Sequence, residues 1–146
     1  MNKLDFWKKY LYLMSFLLIA MGIFIVLFKD TPVYKLFSQY IDPVFWPDNM
    51  ISENTRLFKS FIYSFSGTYV LLWGINLFFI SRFAFKPENK WAWYSILITS
   101  LVWICIMFPF SMYYGVIVNA YGDILFFILI ILPLIFTRKY FFKIKD

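Results

Sequence analysis

The chain has 146 residues, 62% of them hydrophobic and 25% aromatic, with only 15% charged and a net charge of +6. Soluble domains average about 45–50% apolar and about 25% charged side chains. This chain therefore carries more apolar surface than one aqueous core can hide, and far too much for disorder. With no histidine and a single cysteine, Cys105, it is excluded from histidine proton relays, most haem, zinc and iron centres, disulfides and Cys-x-x-Cys redox chemistry.

The glycines are scattered rather than clustered near a lysine, so no phosphate-cradling loop is predicted, and neither a metal nor a cofactor. The positive charge is explained by membrane topology rather than by a nucleic-acid partner. The expectation is one all-α, polytopic membrane domain. It consists of a four-transmembrane-helix bundle with a short amphipathic helix in its outer loop.

A hydrocarbon core of roughly 30 Å needs about 20 apolar residues in helix. The first predicted span covers residues 10–28, between Lys9 and Lys29. Its apolar run is longer than the roughly 7–15 residues of a signal-peptide core and no A-x-A site follows, so it reads as an uncleaved span. The outer loop, residues 29–59, comes next. Thr31 is expected as an N-cap with Pro32 at the first helical position. Val33, Leu36, Phe37, Tyr40 and Ile41 then recur on one face. Asp42-Pro43 is expected to end this helix, which lies on the outer leaflet or caps the bundle as a lid or a gate.

Ser52 is expected to cap the second span, residues 61–80. This span carries Ser60, Gly67, Gly74 and Ser81 at intervals of seven, matching Ser15 and Gly22 of the first. Lipid supplies no hydrophobic drive between helices, so such small-residue seams predict where spans one and two pack. The third span covers residues 91–110 and the fourth residues 117–136.

Ten of the fourteen basic residues fall at the two termini and in the loop between spans two and three. By the positive-inside rule both termini are expected in the cytoplasm. Trp7, Tyr10, Tyr12, Trp91, Trp93, Tyr94 and Tyr140 would ring the inner interface. Tyr34, Tyr40, Trp46, Tyr63, Tyr113 and Tyr114 would ring the outer one.

Asp123 stands out, roughly 9 Å inside the outer boundary of the fourth span. A carboxylate at such a depth is costly without partners. Depth counting puts Gly22, Gly67, Thr68 and Trp103 at its level, with Asn119 one turn earlier. Two readings follow. In one, Asp123, Asn119, Thr68 and Trp103 form a polar ligand pocket with Tyr113 and Tyr114 at its mouth. In the other, Asp123 terminates its helix near the headgroups, within reach of Lys59 or water. Deeper, Asn76 is expected to donate to the Leu129 carbonyl that Pro133 leaves without a helical donor. Cys105 reads as lipid-facing or core packing.

Asp42-Pro43-Val44-Phe45-Trp46, Trp73-Gly74, Lys90-Trp91-Ala92-Trp93 and the segment from Pro133 to Lys139 resemble small uncharacterised bacterial four-span membrane proteins. That resemblance implies a four-helix fold in a bacterial cytoplasmic (inner) membrane and brings no activity with it. Small multidrug transporters carry a glutamate in their first span, which residues 11–28 lack. Membrane glutathione enzymes need an arginine and glutamate pattern that Glu53 and Arg56 do not reproduce.

The functional expectation is non-enzymatic binding of a lipid, an apolar ligand or a membrane partner protein. The alternative is a small proton- or cation-coupled transporter, or a homo-oligomeric channel, using Asp123. One intramembrane acid without a base leaves lipid chemistry third.

Overall fold

The computed structural model describes residues 3–47 and 51–142, which are helical throughout apart from turns and loops. In chain order they form α1 (Lys3–Phe28), α2 (Pro32–Ser38), α3 (Asp42–Phe45), α4 (Glu53–Phe79), a π-helical turn (Ile80–Ala84), α5 (Lys90–Tyr113) and α6 (Ile117–Phe141). The segments α1, α4 with its π turn, α5 and α6 are each long and apolar enough to cross a membrane. Phe16, Leu17, Phe65, Phe79, Ile98, Leu125 and Ile135, among many large apolar side chains, point outward. In water so much exposed apolar surface would drive aggregation; in lipid it is the natural exterior. The chain is a multi-pass membrane protein.

Spans α1 and α4 form the most extensive helix pair, joined along small residues. A Cβ added to Gly22 would lie 2.5 Å from Leu71 N, and one on Gly74 would lie 2.8 Å from Ile19 N. Gly67 faces Ile25, Val26 and the Gly22 carbonyl equally closely. Backbones come this near only where no side chain intervenes. Ser15 and Ser81 are fully buried in the same stripe, and their hydroxyls donate to Tyr12 O and Phe78 O of their own helices. Ser60 lies at the loop end and donates to Asp30.

Span α6 packs against both α5 and α1, whereas α4 and α5 have no extended contact. The buried core joins Leu11, Met14 and Leu18 of α1 to Leu77, Phe85, Trp93, Ile96, Ile130, Leu134 and Phe141. All of these sit in the half of the bundle nearer the chain termini. There the π turn, closed by Phe85 N–H to Ile80 O at 2.8 Å, swings Phe85 inward against Phe141, with ring centroids 4.8 Å apart. The most extensive pairings are α1 with α4 and α5 with α6.

Helix α2 begins at Pro32 directly after Thr31, as expected; the Thr31 hydroxyl itself donates to Phe28 O at 2.6 Å, because the last carbonyls of α1 lack helical partners. Two local expectations are corrected. Asp42-Pro43 does not end the loop helix but begins α3, where proline is tolerated in a first turn. Trp93 does not join an interfacial ring: it is buried, 8% exposed, and donates its indole N–H to Leu134 O at 3.0 Å. On α2 the residues turned inward are Tyr34 and Ser38, while Val33 and Leu36, and Tyr40 just beyond the helix, are exposed. That exposed face suits the lipid surface. Ser52 caps α4, its side chain accepting from Thr55 N–H at 3.2 Å.

Candidate functional site

Asp123 lies in the second turn of α6, 8% exposed, and accepts a 3.0 Å hydrogen bond from Ser111 Oγ. The link is built by the α5–α6 turn. Gly115 adopts φ +74°, Gly115 N–H bonds to Met112 O and Val116 N–H to Ser111 O. This is the Schellman closure of a helix C-terminus. Ser111 thus closes the turn with its carbonyl and holds the carboxylate with its hydroxyl. The indole N–H of Trp103 lies beside the same carboxylate without making a hydrogen bond.

The predicted polar pocket is not assembled. Thr68 is exposed and satisfies its hydroxyl on Ser64 O of its own helix at 2.9 Å. Asn119 is exposed, and Tyr113 and Tyr114 are 81% and 53% exposed. Only Asp123 and Trp103 adjoin. Thr68 sits on α4, which parts from α5 at this level, and a threonine in a helix can always turn to its own backbone. Lys59 does not serve Asp123 either, being paired with Asp42. Ser111 was missed because depth counting ignores the helix crossing near the turn. The Gly115 position was its one available signal.

Asn76 and Pro133 are also not partners. Asn76 donates to Leu72 O of its own helix at 2.9 Å and is exposed. Pro133 is buried, and Thr137 Oγ1 donates to its carbonyl at 2.5 Å. With no partner across the bundle to lose, Asn76→Leu should change stability by no more than about 0.5 kcal/mol. A thermal melt in detergent checks this, and a clear drop would reveal a partner.

Two cavities flank α4. The first is a lateral groove of about 560 Å³ where α4 and α5 diverge, lined by Val70, Trp73, Leu77, Ile96, Val102, Trp103 and Met107. Trp73 bridges it, with ring centroids 5.4 Å from Trp103 and 5.1 Å from Phe126. Two polar side chains of its wall turn back on their own helices, Asn76 to Leu72 O and Thr99 to Ser95 O. The groove therefore presents an apolar interior. Cys105 faces outward beyond it.

The second cavity, about 620 Å³, lies at the loop end among Lys29, Asp30, Lys35, Asp42, Arg56 and Lys59. Asp42 accepts from Lys59 Nζ and from Tyr63 OH, the latter at 3.4 Å. Asp30 accepts from Lys29 Nζ at 3.1 Å and Ser60 Oγ at 3.2 Å. Tyr34 packs edge-on against Tyr63, centroids 5.1 Å apart. Burial, and then the Asp42 charge, push its phenol above the usual range, so it stays neutral. That these loop charges surround one cavity depends on how α2 and α3 fold back. Asp123 lines neither cavity.

No protein-family model, curated protein or solved structure matches this chain. The functional reading therefore rests on this geometry.

Proposed function

We propose that this protein is a non-enzymatic membrane component that holds the hydrocarbon chain of a lipid-like ligand between its second and third spans. The supporting observation is the lateral groove. Its volume of about 560 Å³ falls in the range of ligand sites, roughly 300–1,000 Å³. Its wall is largely apolar, and the Asn76 amide and the Thr99 hydroxyl donate to carbonyls of their own helices. Apart from Tyr69 the lining carries no titratable group, which favours binding over acid–base chemistry.

The distribution of basic residues supports an inner-membrane orientation with both termini in the cytoplasm. The two cavities then open within and at the outer half of the bilayer. The favoured partner is membrane lipid; a membrane protein or a second copy of the chain are the other candidates. Transport through Asp123 has less support, because its carboxylate is buried, held by Ser111 and lines neither cavity.

Val102 is 52% exposed on the groove wall, so Val102→Trp can fill the groove without disturbing the core. Native mass spectrometry of the wild type in mild detergent is expected to show a monomer with retained lipid-mass adducts. In Val102→Trp the number of retained lipids is expected to fall by one while the melting temperature holds. Equal adduct in both proteins, or a ligand-free homo-oligomer in the wild type, would overturn the reading; the oligomer would turn attention to conduction.

A further inference from the structure

The loop-end cavity lies on a different face of α4 from the groove. Arg56, Ser60, Tyr63 and Gly67 form one stripe of the helix, and Tyr69, Trp73, Asn76 and Ile80 form another, roughly 140° away at 3.6 residues per turn. The cavity thus needs its own account. It gathers four cations, Lys29, Lys35, Arg56 and Lys59, around two carboxylates. Both carboxylates are engaged, Asp30 by Lys29 and Ser60, Asp42 by Lys59 and Tyr63. Among the described residues, Lys35 and Arg56 make no ion pair.

The arrangement of the acids argues against a cation site. Each already holds an ammonium group, and their distances to further ligands are taken up by hydroxyl donors. Among the described residues the cavity offers an excess of two positive charges in a concavity, where a low-dielectric wall strengthens attraction for an anion. Arginine suits a phosphate because its planar fork donates two parallel hydrogen bonds, and lysine adds a point charge. The setting is the membrane surface. Span α4 begins at Glu53, and the exposed Val33 and Leu36 of α2, with Tyr40 just beyond it, suit contact with acyl chains beside the cavity.

We propose that this cavity binds a phosphate-type anion, with Lys35 and Arg56 as its unpaired recognition groups and the Asp42–Lys59–Tyr63 cluster as the fixed wall. A phosphodiester lipid headgroup and free phosphate share this chemistry.

The test uses the full chain in nanodiscs of phosphatidylcholine with a small, equal addition of phosphatidylglycerol or of further phosphatidylcholine as labelled probe. Bound probe is read by native mass spectrometry after release. The wild type is expected to retain phosphatidylglycerol preferentially. Lys35→Gln with Arg56→Gln is expected to lose the preference, roughly 5-fold for each cation and roughly 30-fold for both, the equivalent of ~1 kcal/mol per charge near a membrane surface. Neither residue holds an ion pair among the described residues, so the double variant should melt with the wild type.

Millimolar inorganic phosphate separates the sources. Displacement of the lipid assigns the site to the phosphate group itself, and retention assigns it to the headgroup with its chains. Equal retention of both lipids by the wild type, or an undiminished preference in the double variant, would overturn the proposal. Val102→Trp, which blocks the groove, is expected to leave the preference intact.

Discussion

Replacing Gly22 with valine should push the first two spans apart. A Cβ at this position would meet Leu71 N at 2.5 Å, and both Gly67 O and Leu71 Cα at 2.7 Å. All three are backbone atoms of the facing helix, so no rotamer change can relieve the clash and the helix itself must move. Overpacking of this kind costs roughly 1–3 kcal/mol, and here it also separates the most extensive pair in the bundle.

The seam predicts a graded series. Gly74→Val should cost nearly as much, because its closest neighbour is Ile19 N at 2.8 Å. At Gly67 the two nearest atoms belong to the side chains of Ile25 and Val26, which can yield, so its variant should be milder. Gly122 has nothing within 4 Å. There Gly122→Ala should be neutral or stabilising by up to about 1 kcal/mol, because alanine favours helix. Unfolding in mixed micelles with increasing dodecyl sulfate measures all four. A Gly22→Val protein as stable as the wild type would refute the close contact.

Loss of Trp93 should loosen the other half of the bundle. Its ring sits in the core shared by α5 and α6, with Phe142 edge-on at 5.1 Å, and its N–H reaches Leu134 O at 3.0 Å. Trp93→Ala leaves a cavity. In water-soluble cores such a truncation costs about 3–5 kcal/mol. The lower end, about 3 kcal/mol, is expected here, because surrounding lipid is itself apolar and little transfer free energy is lost.

Trp93→Phe keeps most of the volume and removes only the hydrogen bond, for which about 0.6 kcal/mol is typical inside membranes. The same unfolding titration should therefore place Phe close to wild type and Ala far below it. If Phe fell as far as Ala, the hydrogen bond rather than the packing would be the stabilising element.

These two contacts differ in how visible they were beforehand. The seam was legible because an interval of seven is a property of the chain itself. Any helix built from that sequence carries Ser15 and Gly22, or Gly67, Gly74 and Ser81, on one stripe. Sequence position alone places Trp93 at the interface, close to Lys90 and Trp91. Whether a tryptophan at such a depth faces lipid or the bundle depends on the rotation of α5, which α6 sets. The same limit misdirected Asn76 and Thr68. Depth along a span follows from counting residues, but the azimuth of a polar side chain is settled by its neighbours, and a nearby backbone carbonyl of its own helix competes with any partner across the bundle.

The number of membrane-crossing segments, their rough limits, the Ser52 cap and the packing stripe followed from composition and periodicity alone, since each depends on local sequence and the thickness of a bilayer. The tertiary structure decided the rest. It chose Ser111 as the partner of Asp123, opened the groove between α4 and α5, and folded the loop so that Lys35 and Arg56 line one cavity. Each of these depends on crossings between helices distant in sequence, where small differences in packing select among arrangements that the hydropathy pattern leaves equal.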